Sequence, residues 1–326
     1  MDYLSIIKQP IVQELSEFTA LFNQALSYPK DGLLDRALKH IAQRGGKRMR
    51  PILMLLIAKN YGTVLPVAYH AAIALELLHT ASLVHDDVVD ESGERRGQAS
   101  VNAFFNNKVA VLVGDYILST ALLHVSYTDQ QRIVELLAQL CRTLAEGELQ
   151  QLDHIQSKEI SEEVYYQIIE KKTAVLFESC TTLGTMTVGA NNHAIEQARQ
   201  FGHNLGMMFQ SRDDIFDYFD TKEIGKPTGN DMMEGKLTLP VIHALHSAKD
   251  AAMFELAYKV KSGIVNSDEI ATLVRFTKEN GGITYAEQKM NEYSRLCLRY
   301  IDENIKDKVI RDALTAYVDY VVQRKQ

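Results

Sequence analysis

A chain of 326 residues, of which 46% are hydrophobic, can bury a sizeable core as one large domain or two ordinary ones. With only 6 Pro, 18 Gly and no Trp, its composition favours long helices over a β architecture with many turns. The net charge of −7 argues against general nucleic-acid binding, which requires a basic surface.

Cysteine usage and the first residues bear on the cellular compartment. The cysteines Cys141, Cys180 and Cys297 are scattered and show no CxxC spacing, which is typical of thiols in a reducing compartment. The N-terminal residues lack the basic and apolar regions of a signal peptide. Glu76 and His79 interrupt the longest apolar stretch, so no membrane span is expected. We therefore expect a soluble cytoplasmic protein, with peripheral membrane contact only where a greasy product is released.

The first predicted elements are helices. Apolar residues three and four positions apart predict a helix within residues 2–26, whose regular part begins at Pro10. A second helix is predicted over residues 31–43, because Gly45-Gly46 follows as a helix stop. The basic residues after these glycines fit two interpretations. They are either cations at a helix end or an anion cradle, since basic side chains and backbone N–H groups both suit a phosphate.

Residues 64–90 predict one long helix that is apolar nearly all round and therefore buried. This helix ends in the acidic residues Asp86, Asp87 and Asp90. Positions four apart share one helix face, so Asp86 and Asp90 repel each other unless a cation lies between them. Mg²⁺ takes oxygen ligands and commonly shares its shell between one or two carboxylates and substrate phosphates. The alternative is a solvated acidic face.

The acidic pattern occurs a second time, as Asp213, Asp214 and Asp217, in a helix predicted over residues 194–220. Further helices are predicted over 109–123, 130–156, 161–188 and 241–325, and no strand is predicted. The loop 221–234 contains glycines and lysines and follows the second acidic motif. Because long loops are often functional, we expect it to be a lid over a substrate.

Six segments in order resemble those of the trans-type polyprenyl diphosphate synthases, the enzymes that elongate isoprenoid chains, and most of all the long-chain octaprenyl synthases. The segments are GGKRMRP at 45–51, LVHDDVVDESGERRG at 83–97, GDY at 114–116, KKTAVLF at 171–177, FQSRDDIFD at 209–217 and GKPTGNDMMEGKLTLP at 225–240. The resemblance implies the all-α isoprenoid synthase fold, with residues 1–326 as a single domain. In that fold a helical bundle surrounds a central cavity, the two acidic helices face each other, and the protein is usually a homodimer.

The resemblance also implies roles for individual residues. Three Mg²⁺ ions would hold the diphosphate of an allylic substrate, with Asp86, Asp90 and Asp213 as main ligands and Asp87, Asp214 and Asp217 as supporting ones. The cations that neutralise this diphosphate would be Arg95, Lys172 and Lys226. The residues that bind isopentenyl diphosphate would be Lys47, Arg50, His79 and Arg96, and Lys236 would also bind substrate. Thr173 and Gln210 would stabilise the carbocation.

The implied reaction begins when the allylic carbon–oxygen bond ionises, which requires strong stabilisation of the leaving pyrophosphate. The isopentenyl double bond then attacks the allylic cation. No well-placed His or Glu base is evident, so we expect the proton to pass to the pyrophosphate. Water has to be excluded, which suits a lid formed by residues 221–234 and 91–97.

Product length is predicted from the helix that bears Asp86. One turn before it lie Ala81 and Ser82, both small, where relatives with short products commonly have an aromatic residue. A helix of roughly 40 Å accommodates on the order of six to nine isoprene units at about 5.4 Å per turn. We therefore expect a long-chain product, centred on octaprenyl diphosphate for a quinone side chain, with farnesyl or geranylgeranyl diphosphate as primer.

Other functions remain open. The chain could make medium-length farnesyl or geranylgeranyl diphosphate, or act as the active subunit of a two-component synthase. A terpene cyclase is disfavoured, because the basic residues at 47–50 would have no purpose there. A regulatory subunit without turnover is disfavoured as well, because the acidic residues and lysines are all retained.

Overall fold

The computed structural model describes residues 2–43, 46–95, 97–219 and 228–323. Nearly all of these residues are helical, which confirms the all-α prediction. The helices are α1 (Tyr3–Lys8), α2 (Val12–Ala25), α3 (Leu33–Gln43), α4 (Met49–Tyr61), α5 (Pro66–Val89), α6 (Val101–Phe104), α7 (Asn107–Ser126), α8 (Gln131–Gln156), α9 (Glu162–Ile169), α10 (Val175–Met186), α11 (Asn192–Phe216), α12 (Asn230–Met233), α13 (Leu239–Ala248), α14 (Ala251–Lys261), α15 (Ser267–Glu279), α16 (Gly282–Asn304) and α17 (Lys308–Gln323).

Two local elements differ from the sequence expectation. The loop after the first acidic motif contains a small antiparallel hairpin, in which β1 (Glu94–Arg95) pairs with β2 (Gln98–Ala99), although no strand was predicted. The first helix begins well before Pro10, because the Asp2 side chain caps α1 by accepting the backbone N–H of Ser5. Pro10 lies in a 3₁₀ turn, Gln9–Ile11, between α1 and α2, so the ring does not have to fit inside an α-helix.

The chain divides into two compact units. Unit 1 consists of Met1–Cys141, Ser179–Arg199 and Ile305–Leu314, and unit 2 consists of Arg142–Glu178, Gln200–Asn304 and Thr315–Gln326. Unit 1 contains the first acidic motif and unit 2 contains the second. That residues 1–326 form a single domain stays a prediction.

Helix α5 is the central element of unit 1. It begins with Pro66 at its first position, where a proline costs no hydrogen bond, and most of its residues are buried. It packs mainly against α7, and also against α4 and α2. Below the acidic end of α5, the buried residues Val84, Val101 and Ala110 form a small core cluster. The predicted buried helix is therefore confirmed, and its acidic end rests on packed apolar side chains.

Unit 2 is built around the second half of α11 and the segment that precedes α10. Between α9 and α10 the chain forms a π turn, Glu170–Ala174, which has one residue more per hydrogen-bonded loop than an α-helix. The side chains of Phe177, Phe201 and Tyr218 are among the largest fully buried ones. These buried rings hold the π turn and the acidic end of α11 in a packed interior.

Two helices are long and apolar enough to cross a membrane by length and composition, although no such stretch was expected. In α5, 67% of the apolar window is buried within the structure, as in the core helix of a soluble protein. In α7 only 33% of the window is buried. An apolar face of α7 is therefore exposed.

Gly184 tests the packing of α10 on α4 within unit 1. A Cβ at this position would lie 2.7 Å from the carbonyl oxygen of Met54 and 3.0 Å from the Cβ of Ile57. We expect Gly184→Ala to lower the free energy of unfolding by about 1–3 kcal/mol, because the backbone of α4 cannot yield as a flexible side chain would. Gly32→Ala, whose Cβ meets nothing within 4 Å, is the control. Equal midpoints of thermal unfolding (Tm) for the two variants would contradict this packing.

Candidate active site

The first acidic motif lies at the C-terminal end of α5. Asp86 is half-buried on the last turn, and Asp90 is exposed at the C-cap. The backbone N–H of Asp90 donates to the carbonyl oxygen of Asp86 at 2.8 Å, so the helical turn continues and the two side chains share one face. A helix C-terminus carries partial negative charge, which adds to the repulsion between the two carboxylates. This arrangement is unfavourable unless a cation is bound.

Asp87 has a different environment from its neighbours. Its side chain is fully buried, and its Oδ1 atom accepts the Nε–H of Arg95 at 2.6 Å. The carbonyl oxygen of Asp87 accepts the backbone N–H of Ser92 at 2.9 Å and the side-chain amide of Asn102 at 3.1 Å. Asp87 therefore holds the predicted diphosphate-binding residue Arg95 and ties the hairpin to the end of α5.

The GDY segment accommodates the histidine next to the acidic motif. A Cβ at Gly114 would lie 2.2 Å from Nε2 of His85, so only glycine leaves room for the imidazole. The His85 Nε2 atom lies 3.2 Å from the carbonyl oxygen of Val111 and 3.5 Å from the Asp115 carboxylate. His85, to which the sequence assigned no role, thus links α5 to α7 directly beside Asp86.

A cavity of about 80 Å³ in unit 1 lies beside this motif. Its lining includes the predicted His79, Asp87 and Arg95, together with three residues that were not predicted, namely Arg48, Glu76 and Thr80. The structure therefore brings the first acidic motif and the basic segment before α4 to one place. Gly45 of that segment and the predicted residue Arg96 lie outside the described residues.

The basic segment before α4 has an unusual backbone. Arg48 is in the left-handed region with φ 49°, a conformation that non-glycine residues seldom adopt outside functional sites. Its guanidinium stacks 4.5 Å from the ring of Phe22 and donates to the Asn23 side chain at 3.3 Å. Lys47 is exposed, and Arg50 is half-buried in the first turn of α4. Both residues flank Arg48, as an anion cradle at a helix start requires.

The second acidic motif ends α11 in unit 2. Asp213 is half-buried on the last turn, and Asp217 follows in the turn after the helix. The Asp217 carboxylate accepts the backbone N–H of Asn230 at 2.9 Å and that of Asp231 at 3.2 Å, which caps the short helix α12. Asp217 thus anchors the end of the predicted lid, and its role as a supporting metal ligand stays a prediction.

Asp214 is buried in a chain of hydrogen bonds. Its Oδ2 atom accepts the hydroxyl of Tyr165, and its Oδ1 atom accepts the side-chain amide of Gln210 at 2.8 Å. The Gln210 carbonyl oxygen in turn accepts the hydroxyl of Thr173 at 2.8 Å. Burial raises the pKa of Asp214 to about 7, and the nearby Asp213 and Asp217 charges act in the same direction.

The π turn 170–174 presents Lys172 and Thr173. Lys172 Nζ lies 2.7 Å from the Glu148 carboxylate and donates to the Gln151 side chain at 3.0 Å. Two glycines allow the turn to fit. A Cβ at Gly147 of α8 would lie 2.9 Å from Lys171 Cβ, and a Cβ at Gly206 of α11 would lie 2.5 Å from Ala174 Cα.

A second cavity, of about 180 Å³, lies in unit 2. Its lining includes the predicted residues Lys172, Thr173, Gln210, Asp214 and Lys236, so the structure brings these five together. The predicted Lys226, and residues 221–227 of the predicted lid, lie outside the described residues.

Comparison of the sequence with a protein-family model identifies the class of protein to which these sites belong. Residues 31–275 of the chain match the model described as polyprenyl synthetase. The chain is a member of the polyprenyl synthetase family. Family membership confirms the resemblance that the six sequence segments indicated, and it makes the chain a prenyltransferase.

Curated relatives of this polyprenyl synthetase carry different product names. An all-trans-nonaprenyl-diphosphate synthase (geranyl-diphosphate specific) from Rhodobacter capsulatus is 34% identical over 100% of this chain and 99% of its own length. An octaprenyl diphosphate synthase from Escherichia coli is 32% identical over 98% of this chain and 94% of its own. The heptaprenyl diphosphate synthase component 2 of Geobacillus stearothermophilus is 38% identical over 66% of this chain and 67% of its own.

Solved structures match the whole chain. A geranylgeranyl pyrophosphate synthase from Bacteroides thetaiotaomicron has a TM-score of 0.87 and 47% identity, covering 99% of this chain and 100% of its own. A polyprenyl synthase from Caulobacter crescentus, complexed with calcium and isoprenyl diphosphate, has a TM-score of 0.91 and 27% identity, with 99% and 98% covered. The isoprenoid synthase fold is therefore confirmed. The first of these proteins is named for a geranylgeranyl product, and the second only for a polyprenyl product.

The carboxylates of this polyprenyl synthetase suit Mg²⁺. Within the described residues, no group of three or more His, Cys, Asp or Glu side chains is arranged to hold a metal ion. Each acidic motif instead offers a pair of carboxylates, Asp86 with Asp90 and Asp213 with Asp217, of which Asp217 also accepts two backbone N–H groups. Because Mg²⁺ commonly takes one or two carboxylates and completes its shell with water and phosphate oxygens, these pairs fit the ion.

Several residues of the two cavities were missed by the sequence reading. The lining of the larger one includes Tyr165, Asp231 and Lys261. Tyr165 and Lys261 lie outside the six segments, so only tertiary packing reveals them, whereas Asp231 lies within the segment 225–240 and was given no role there. Gly147 and Gly206 did leave a signal, because an isolated glycine inside a helical pattern often has a packing reason.

Gly206 tests the importance of the π turn for activity. Gly206→Ala would press a Cβ against the backbone of Ala174, next to Lys172 and Thr173. We expect prenyltransferase turnover to fall on the order of tenfold or more, because small displacements of reacting groups are costly. Steady-state kinetics would measure this, with Gly32→Ala as control. Unchanged turnover in Gly206→Ala would show that the close approach is not required.

Proposed function

We propose that this polyprenyl synthetase is a Mg²⁺-dependent trans-prenyltransferase that condenses isopentenyl diphosphate with an allylic diphosphate, farnesyl or geranylgeranyl diphosphate. One observation carries the proposal: each unit has an acidic motif at the end of a helix, beside a cavity lined in part by basic side chains. Acidic pairs recruit metal ions, and metal ions with fixed cations bind diphosphates.

In this proposal the two acidic motifs, together with Lys172, bind and ionise the allylic substrate. Three bound Mg²⁺ ions would supply positive charge that stabilises the leaving pyrophosphate, with Asp86, Asp90 and Asp213 as main ligands. Lys172, which is fixed by Glu148 and Gln151, adds preorganised positive charge. The oxygen atoms of Thr173 and Gln210 stabilise the positive charge on carbon. Lys226 and Lys236 bind the diphosphate as well.

The residues of unit 1 bind the nucleophile and complete the allylic site. Lys47, Arg50, His79 and Arg96 bind the diphosphate of isopentenyl diphosphate. Arg95 is held by the buried carboxylate of Asp87 and is thereby preorganised for the allylic diphosphate. The proton that isopentenyl diphosphate loses passes to the departing pyrophosphate.

We propose a long-chain product, centred on octaprenyl diphosphate, for a quinone side chain. The small side chains of Ala81, which is buried, and Ser82, which is half-buried, support it. So do the nonaprenyl and octaprenyl names of curated relatives. The second candidate is a geranylgeranyl diphosphate synthase, which the Bacteroides thetaiotaomicron structure favours at 47% identity.

Product analysis separates these candidates. The purified protein would be incubated alone with Mg²⁺, isopentenyl diphosphate and farnesyl diphosphate, and the products sized by chromatography. A product of about seven to ten units would support a self-sufficient long-chain synthase. A four-unit product would support the geranylgeranyl synthase. No product from folded protein would favour a two-component synthase, as the heptaprenyl relative's name suggests for that relative.

An aromatic ring one turn before Asp86 should shorten the product. Ser82→Phe and Ala81→Phe each replace a small side chain of α5 by an aromatic ring. Because Ala81 is buried, its variant also needs a Tm measurement, whereas the half-buried Ser82 tolerates a larger side chain more readily. Val12→Phe, on an exposed position of α2, is the control. Unchanged product length in both folded variants would refute the proposal that the small side chains of Ala81 and Ser82 permit a long product.

We propose a cytoplasmic homodimer, with peripheral membrane contact for product release. The exposed apolar side chains Val111, Leu112, Leu122 and Leu123 of α7 support a dimer, because several large apolar side chains exposed on one helix are typical of an interaction surface. The four positions form two neighbouring rows on one side of the helix. A second copy of the same face would bury them, as twofold symmetry allows.

Glutamate substitutions on the exposed apolar face of α7 test whether this face forms the dimer interface. We expect Leu112→Glu combined with Leu123→Glu to shift the mass measured by light scattering from dimer to monomer, because the charges would be buried. Ile264→Glu changes a residue of unit 2 that is 70% exposed and should leave the mass unchanged. A dimeric double variant would rule out this face, and a monomeric unmodified protein would rule out the dimer.

A further inference from the structure

Tyr165 lies on α9 and reaches the hydrogen-bonded chain of the second acidic motif. Its side chain is 5% exposed, and its hydroxyl donates to Oδ2 of Asp214. Burial raises the pKa of Tyr165 well above its usual value, so the hydroxyl remains a neutral donor. The buried carboxyl group of Asp214 is thus fixed on one side by a donor that keeps its proton.

The fixed carboxyl group determines how the Gln210 amide points. The Oδ1 atom of Asp214 accepts a hydrogen bond, so the amide face toward it must be the NH₂ group. The Gln210 carbonyl oxygen then faces Thr173, whose hydroxyl donates its only proton to it. The orientation of two oxygen atoms at the cavity therefore follows from the position of Asp214.

We propose that Tyr165 is a positioning residue of the prenyl transfer: by anchoring Asp214, it orients the Gln210 amide and the Thr173 hydroxyl toward the reacting carbon. The inference rests on the proposed roles of Thr173 and Gln210. Tyr165 itself acts through Asp214 and needs no contact with substrate. Losing its hydroxyl frees the carboxyl group to turn, and the amide then has no fixed orientation.

The next residue provides a matched control. Tyr166 is half-buried on the same helix, and its ring centroid is 5.3 Å from that of Tyr165. Its hydroxyl oxygen is buried and has no hydrogen-bond partner among the described residues. Tyr165→Phe and Tyr166→Phe each remove one buried oxygen and keep the ring. Only the first of them breaks the chain that leads to Thr173.

The test is a double-mutant cycle. We expect Tyr165→Phe to lower kcat on the order of tenfold, which corresponds to the loss of one buried hydrogen bond, with KM for the allylic diphosphate changed less than about twofold. Tyr166→Phe should keep kcat within about twofold. Combining Tyr165→Phe with Gln210→Leu should give a kcat no lower than Gln210→Leu alone, because both changes act through one chain.

Each outcome separates this inference from the function on which it rests. Multiplicative losses in the double variant, or a Tyr165→Phe enzyme that matches Tyr166→Phe, would overturn the positioning role of Tyr165 alone. A fully active Gln210→Leu enzyme would overturn the role of Gln210 itself. Thermal unfolding of all variants is measured in parallel. A fall in kcat that tracks the fall in Tm equally in both tyrosine variants would assign Tyr165 to packing and overturn the proposal.

Discussion

Repulsion between like charges is the constraint on which the rest of this structure depends. Asp86 and Asp90 share one face at the C-terminal end of α5, and Asp213 and Asp217 lie at the end of α11. The carboxylates of each pair repel each other at the negative end of a helix dipole, and in the second pair Asp217 is partly compensated by two backbone N–H groups of α12. Extensive burial of α5 and α11 elsewhere keeps these helices folded despite that cost. Bound metal ions would turn the repulsion into attraction.

In each site, the buried carboxylate of the acidic motif fixes a cationic or polar side chain of the proposed diphosphate site. In unit 1 the buried Asp87 fixes Arg95 and the hairpin, so one member of the acidic motif positions a cation. In unit 2 the buried Asp214 likewise fixes the side-chain amide of Gln210. Each motif therefore has one fully buried carboxylate that fixes neighbouring side chains and two carboxylates that are less buried. This division explains why three acidic residues occur so close together twice.

The elements that sequence predicts well are those governed by local pattern. The buried helix α5, the acidic pairs and the second acidic helix all followed from apolar period and charge spacing. The π turn at 170–174 and the capping role of Asp217 did not, because each depends on residues further away in the sequence. The hairpin at 94–99 did not either, because its two-residue strands are too short to show an alternating pattern. The roles of Gly206 and Tyr165 depend on their contacts with Ala174 and Asp214, respectively, which form only on folding. Such pairings become visible only in the folded chain.

The most direct test of the charge account is the thermal stability of the protein with Mg²⁺ and inorganic pyrophosphate. The account predicts that the two together raise Tm by several degrees, since a ligand at 100 times its Kd adds about 2.7 kcal/mol. Asp213→Asn, which removes a charge but keeps the shape, should abolish most of that rise. No rise in the unmodified protein, or an equal rise in Asp213→Asn, would contradict the account.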